Sequence, residues 1–385
     1  MTNYKELQQK YEFDVFPKRD ICIVKGKGAR LWDDEGNEYI DFASGISVAN
    51  IGHGNEKIVE ALKNQAEILI TCPGTFYNDK KALLLEKLIN LAPKNLTKAY
   101  LSNSGTEAIE AAIKFARFTT KKTDFISAMK GFHGRTLGAL SATYKKEYRE
   151  DFEPLIPGFS FVPYNNFEKM KEAIREKTAG IILEPIQGEG GINVADKEYM
   201  QNVQKLCNEN NIMFIVDEIQ TAFCRTGKMF ASEHFDLSPD MITVAKSIAG
   251  GIPMGAVLCS EKVSVPVGGK HGTTFGGNPL VCAAAIASLD FMIDNDLCKQ
   301  SIEKGNYFVN KLKPNELSKV REIRNLGLMV GIELKEKVQP LLQELMANKI
   351  IALPAGTTVL RLLPPLVISY EDLDTVAEKL NELLK

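Results

Sequence analysis

From about Lys98 onward the chain repeats one unit, a short apolar run followed by a stretch of helical period. The runs are Ala99–Leu101, Phe125–Ala128, Phe159–Val162, Gly180–Leu183, Met213–Val216, Met241–Val244 and Ala256–Leu258. Helical stretches such as Thr106–Phe118, Phe167–Glu176 and Lys197–Asn208 lie between several of them. Strands buried on both faces read as continuous apolar runs, and strands separated by helices pair in parallel. This pattern predicts an α/β fold with a large, mostly parallel sheet covered on both faces. Ligands of such sheets bind beyond the carboxyl ends of the strands, so the residues just after each run carry the functional question.

The flanks read differently. Leu31-Trp32 and Tyr39–Phe42 bracket the turn Asp34–Asn37, a hairpin pattern. Ile58, Leu62, Ala66 and Leu69 then give one helical face, and Leu84, Leu88 and Leu91 another. Beyond about residue 300, Leu328–Leu334, Ile350–Leu353 and Val359–Leu363 read as strands, with helices at Val338–Asn348 and Tyr370–Leu384. The expected division is a large domain over 51–290, with a small α+β domain built from 291–385 and the amino-terminal segment 1–50. A chain of 385 residues suits roughly two to three domains.

Several function classes drop out. Lys plus Arg is 47 and Asp plus Glu is 49, so charge gives no argument for a nucleic-acid or membrane partner. The seven cysteines form no CxxC pair and their number is odd, which excludes a zinc ribbon, a thioredoxin-like pair and a disulfide framework. The four histidines contain no HExxH, and no metal is expected. The segment Met1–Asp20 is charged throughout and no apolar stretch reaches 18 residues, so the expectation is a soluble cytoplasmic protein.

Three features after the runs could carry chemistry. Ser102–Glu107 follows a strand and opens a helix, with Ser104 and Glu107 spaced as a capping box. It is either a well-capped helix or a seat in which the Gly105 and Thr106 amides hold a phosphate at the positive helix end. Neither GxxxxGK[ST] nor a strand-linked GxGxxG is present, which weakens ATP and NAD readings. Asp217 and Glu218 end an apolar run and are either solvent-exposed or paired with a buried cation. Lys246 follows another run and precedes Ser247–Pro253, so it is either solvated or a desolvated amine nucleophile. The loops Gly131–Thr136 and His271–Asn278 add glycines, donors and the aromatic Phe132. Taken together, a phosphate seat, a carboxylate for a cationic ring, an aromatic face and an amine point to one ligand, pyridoxal phosphate bound as a Schiff base.

The chain also resembles, over nearly its whole length, the class III aminotransferases of fold type I, within the acetylornithine aminotransferase group. The matching segments are Asn103–Ala112, Phe132–Thr136, Glu184–Gly191, Asp217–Gly227, Ala245–Ala256, His271–Pro279 and Arg361–Leu366. The resemblance implies that Lys246 binds pyridoxal 5′-phosphate covalently and shuttles the proton, while Asp217 pairs with the pyridinium nitrogen. It implies that Phe132 stacks on the ring, Gln220 bonds the ring oxygen, and Gly105 and Thr106 hold the phosphate. On the same resemblance Thr274 would reach that phosphate from a neighbouring subunit, which implies a homodimer. Arg135 and Thr273 would contact the substrate. Glu189 would neutralise Arg361 while the amino donor is bound and release it for 2-oxoglutarate. Ala222 and Cys224 depart from the commonest wording of the Asp217–Gly227 motif.

Free-ornithine relatives usually carry a tyrosine where this chain has Ile46, so an N-blocked donor, N-acetylornithine, is the expected substrate. The stretches Ala128–Arg135 and Met329–Lys337 with the compact length also resemble a branch whose donor is attached to the small acidic carrier protein LysW. Lys121, Lys122, Lys145 and Lys146 are candidate contacts for such a carrier. Racemases and non-enzymatic proteins of the same fold are the alternatives. The first would not need the Glu189–Arg361 pair, and the second would have lost Lys246 or Asp217.

Overall fold

In the computed structural model, which describes residues 3–385, seven strands form the large sheet. They are β1 Leu96–Ser102, β2 Asp124–Ala128, β3 Phe159–Val162, β4 Thr178–Leu183, β5 Met213–Asp217, β6 Met241–Val244 and β7 Gly255–Ser260. Their order across the sheet is β1-β7-β6-β5-β4-β2-β3. The pairs β5–β6, β5–β4, β2–β4 and β2–β3 are parallel. Only β7 runs against its neighbours β6 and β1. The reason is length: a parallel return needs a crossover of about a dozen residues or more, and the link from Val244 to Gly255 holds only a short 3₁₀ turn, Lys246–Ala249. That turn is where Lys246 sits.

Every residue of β4 to β7 is buried, as the uninterrupted apolar runs require. Alternate residues serve the two faces. Met213 and Ile215 pack with the small residues Ala108, Ala111, Ala112 and Ala116 of the helix Gly105–Thr120. Phe214 and Val216 pack on the opposite side with Ile181, Leu183, Ile242 and Val244.

The amino-terminal strands Ile23–Lys27, Arg30–Asp33 and Glu38–Asp41 form a second sheet that the late strand Ile350–Ile351 completes, pairing in parallel with Ile40 and Asp41. The hairpin at Asp34–Asn37 is present, and Asp33 organises it by accepting bonds from the Asn37 amide at 2.8 Å and the Tyr39 hydroxyl at 2.8 Å. A third, antiparallel sheet holds Val320–Leu326, Met329–Leu334, Val359–Leu362 and Leu353–Ala355. The helix crossing residue 290 runs on to Asp294, and the chain turns at Asn295–Asp296 before the helix Leu297–Lys311.

Local differences from the sequence reading have simple causes. The helix starting at Phe167 ends at Ala173 rather than Glu176, because Arg175 and Thr178 close a turn that feeds β4. The strand Val320–Leu326 carries Arg321, Glu322 and Arg324 and lies at a sheet edge, so it shows no apolar run. Among the described residues no helix is long and apolar enough to cross a membrane, and no cluster of metal-ligating side chains occurs.

Candidate active site

A cavity of about 370 Å³ opens beyond the ends of the central strands. Its walls include Gly105, Thr106, Phe132, Arg135, Asp217, Gln220 and Lys246. These residues come from four different strand ends, and the sheet order is what brings them together.

Ser104 caps the helix at the cavity edge, its side chain accepting from the Glu107 amide at 3.3 Å. The Glu107 carboxylate in turn accepts from the Asn103 amide at 2.6 Å. The Gly105 and Thr106 amides occupy the first turn, where helix geometry supplies no acceptor, and they face the cavity end of the helix. The Thr106 hydroxyl bonds that of Thr136 at 2.7 Å.

Asp217 and Glu218, adjacent in sequence, serve different ends. Both are buried, so solvent exposure at the strand end does not apply to either. Asp217 reaches the cavity. Its Oδ2 lies 2.7 Å from Nδ1 of His133, and its Oδ1 accepts from the Ile219 amide at 3.1 Å and the Thr243 hydroxyl at 3.3 Å. A carboxylate offers about four acceptor positions, so one remains for a donor in the cavity. Glu218 points elsewhere and takes the amides of Ala231 at 2.5 Å and Ser232 at 2.9 Å. Burial raises its pKa to about 7 against those bonds, and its work is to hold the 231–232 turn.

His133 is the residue the sequence reading passed over. Burial alone would lower its pKa, but the hydrogen bond and charge of Asp217, with Glu184 behind, raise it. Its position directly after the aromatic Phe132 was the available signal. Glu184 was also missed as an individual. Its Oε2 accepts from the Phe132 amide at 3.0 Å and its Oε1 from the Gly188 amide at 3.3 Å, linking the aromatic wall to the loop that carries Glu189. Burial pushes its pKa up to about 7.

Lys246 is half-buried at the cavity, with φ at +49°, a left-handed conformation that costs a non-glycine residue of order 1–3 kcal/mol. Burial lowers its pKa, with Glu189 opposing and the Arg361 charge assisting. The side chain thus lines the cavity wall rather than the outer surface. Phe132 forms one wall, its ring edge-on to Tyr148 at 5.9 Å. The Arg135 guanidinium, exposed to solvent, lies 4.0 Å from the Tyr148 ring centre and 5.4 Å from that of Phe132.

Arg361, 3% exposed, crosses to this site from the third sheet. Its Nη1 bonds Glu189 at 2.5 Å and Oε1 of Gln220 at 3.3 Å, while its buried Nε has no partner. The Gln220 amide packs against Gly188, where a Cβ would stand 2.2 Å from its Oε1 and displace it from its present position. Glu189 also lines an adjoining cavity of about 290 Å³ with Phe132, Lys130, Lys145 and Arg324.

Besides Glu189 and Arg361, two more expected site residues lie outside the inner cavity. Thr273 accepts from the Asn103 side chain at 2.8 Å, and Thr274 is exposed. Ile46 is exposed as well, and Val48 is the residue of that turn on the cavity wall.

The donor set can seat an anion on a helix N-terminus, a flat ring on Phe132, a protonated ring nitrogen on Asp217, and a carbonyl carbon near Lys246. A phosphorylated pyridine aldehyde has all four parts, so the residues present fit it.

A family model described as aminotransferase class-III matches residues 15–384. An acetylornithine aminotransferase of Methanocaldococcus jannaschii is 43% identical, over 99% of this chain and 98% of that protein. A LysW-aminoadipate semialdehyde transaminase of Deinococcus radiodurans is 45% identical, over 98% of this chain and 89% of that protein. Among solved structures, the ornithine aminotransferase of Toxoplasma gondii aligns with a TM-score of 0.94 at 33% identity, over 98% of this chain and 93% of that one.

Proposed function

The chain belongs to the class-III aminotransferases, and we propose that it moves the ω-amino group of an N-blocked ornithine, N-acetylornithine, to 2-oxoglutarate. The products are the semialdehyde and glutamate, in arginine or lysine biosynthesis. Pyridoxal 5′-phosphate is the cofactor, supplying an aldehyde that condenses with amines and a ring that accepts electrons. The Gly105 and Thr106 amides hold its phosphate, Phe132 covers the ring face and Gln220 bonds the ring oxygen. Asp217, oriented by His133, uses its remaining acceptor position for the ring N–H. Lys246 offers a neutral amine at Nζ more readily than a solvated lysine does, and so can both bind the aldehyde and carry the proton between carbons. Arg135 and Thr273 orient the substrate. The active unit is read as a cytoplasmic homodimer, in which the exposed Thr274 serves the partner's phosphate seat.

The observation that carries this reading is the Glu189–Arg361 pair, in which the buried Arg361 bonds Glu189 of the outer cavity and Gln220 of the inner one. A site that must accept an ω-amine donor, whose reacting carbon bears no carboxylate, and then 2-oxoglutarate, whose reacting carbon does, needs a guanidinium that can be neutralised and released. Arg361→Ala is accordingly expected to damage the 2-oxoglutarate half-reaction selectively. Charge-assisted hydrogen bonds contribute about 1.5–3 kcal/mol, which corresponds to roughly 10–150-fold in affinity. Single-turnover measurement of each half-reaction tests this, and equal losses in both would contradict the switch.

A donor attached to a small acidic carrier protein is the second reading, favoured by Lys130 and Lys145 beside the outer cavity and by the Deinococcus relative's name. The deciding measurement is kcat/KM for N-acetylornithine, carrier-linked donor, free ornithine and GABA at two salt concentrations. A blocked donor is expected to be used far better than free ornithine or GABA. Salt sensitivity confined to the carrier-linked donor selects that reading, because screening weakens long-range steering.

A further inference from the structure

Cys224 and Cys298 stand far apart in the chain, and the structure brings their sulfur atoms to 2.9 Å, both as free thiols. Cys224 lies buried in the loop after β5, four residues past Gln220. Cys298 is half-buried at the start of the helix Leu297–Lys311. The two segments are tightly packed around the pair. A Cβ on Gly227 would stand 2.2 Å from Cγ1 of Ile302, and the Ser301 hydroxyl donates to the Arg225 carbonyl at 2.8 Å. Arg225 in turn anchors the loop to distant backbone, donating to the Leu328 and Pro364 carbonyls at 3.0 and 2.7 Å.

We propose that Cys224 and Cys298 are an oxidisable dithiol site, which a low-molecular-weight disulfide converts to a cross-link between the active-site loop and this helix. A disulfide bond is about 2.0 Å long, so closure from 2.9 Å asks for little movement. The contact between the two sulfurs lowers the Cys298 pKa despite partial burial, while the same contact and burial raise that of Cys224. Cys298 is half-buried and open to a reagent while Cys224 is buried, so Cys298 is the attacking thiolate. Its sulfur attacks one sulfur of the reagent RSSR, the S–S bond breaks, and RS⁻ leaves with a proton from solvent. Cys224 then loses its proton to solvent as its sulfur attacks the Cys298 sulfur and expels the second RS⁻. Two protein thiols are oxidised and one RSSR is reduced to two RSH.

The test uses the reduced, cofactor-loaded protein with hydroxyethyl disulfide as the probe, followed by alkylation in denaturant and peptide mapping. The chain has seven cysteines, and two of them should become resistant to alkylation. The unalkylated chain should lose the mass of two hydrogens, and one linked peptide should join Cys224 to Cys298, all reversed by dithiothreitol. Oxidised protein should unfold at a higher temperature, because the cross-link restricts the unfolded chain. Cys298→Ser should show none of these changes, and Cys224→Ser should instead accumulate one mercaptoethanol adduct on Cys298. Full alkylation after treatment would overturn the proposal. So would a link to any other cysteine, or a persistent adduct on Cys298 in the unmutated chain. If either serine variant folds poorly, the peptide map of the unmutated chain still decides between these outcomes.

Discussion

Lys246→Ala is expected to yield a folded protein that binds pyridoxal phosphate without the borohydride-trappable link and has almost no turnover. General acid–base catalysis alone contributes about 10²–10⁴-fold, and this lysine also supplies the amine that captures the aldehyde. A loss on the order of 10⁴-fold or more is therefore expected, equivalent to about 5.4 kcal/mol of barrier. The variant should fold, since alanine keeps the backbone at φ +49° and removes an amine that burial disfavours when charged. Borohydride reduction followed by peptide mapping is the check. Trapping of the cofactor on another lysine in Lys246→Ala would remove Lys246 from its role.

The second large effect is expected at Asp217. Asp217→Asn keeps the shape of the side chain but leaves the buried His133 facing a neutral amide, and it leaves a ring nitrogen without its anion. Removing one partner of a buried charge pair costs about 3–5 kcal/mol. If that is lost from the transition state, the rate falls on the order of 10²–10⁴-fold. Cofactor binding should survive, because the phosphate seat at Gly105 and Thr106 and the wall at Phe132 are untouched. Stopped-flow measurement of the first half-reaction distinguishes the outcomes. A tenfold or smaller loss would sink the electron-sink role of this carboxylate.

Much of the large sheet was legible because its central strands are buried on both faces, and burial on both faces leaves an unbroken apolar run. The strands at Ile23–Lys27 and Val320–Leu326 lie at sheet edges and carry lysine, arginine and glutamate, so their pairing partners rather than their composition make them strands. Direction was hidden in the same way: Ala256–Leu258 reads like its neighbours, and only the shortness of the link from Val244 turns it antiparallel. At the site, the ends of runs were informative and their immediate neighbours were not. Asp217 and Glu218 look equivalent in sequence, and the alternation of side chains across the strand end separates them. His133 pairs with Asp217 across the β2 and β5 strand ends, and Cys224 meets Cys298 across a helix start. No local pattern encodes contacts of that range.

The sheet that holds the first strands is completed by Ile350–Ile351. The Ile40 amide donates to the Lys349 carbonyl at 2.9 Å and the Phe42 amide to that of Ile351 at 2.8 Å. On a ribosome adding about 5–20 residues per second, residue 350 follows residue 40 by roughly 15–60 s. Throughout that interval Glu38–Asp41 has an open edge, of the kind that recruits foreign strands. The nascent chain can assemble β1 to β7 and the lysine turn well before its own beginning is sheltered. Its exposure to misassembly therefore falls on the amino-terminal segment, and the strand Ile350–Ile351 is the closure that ends it.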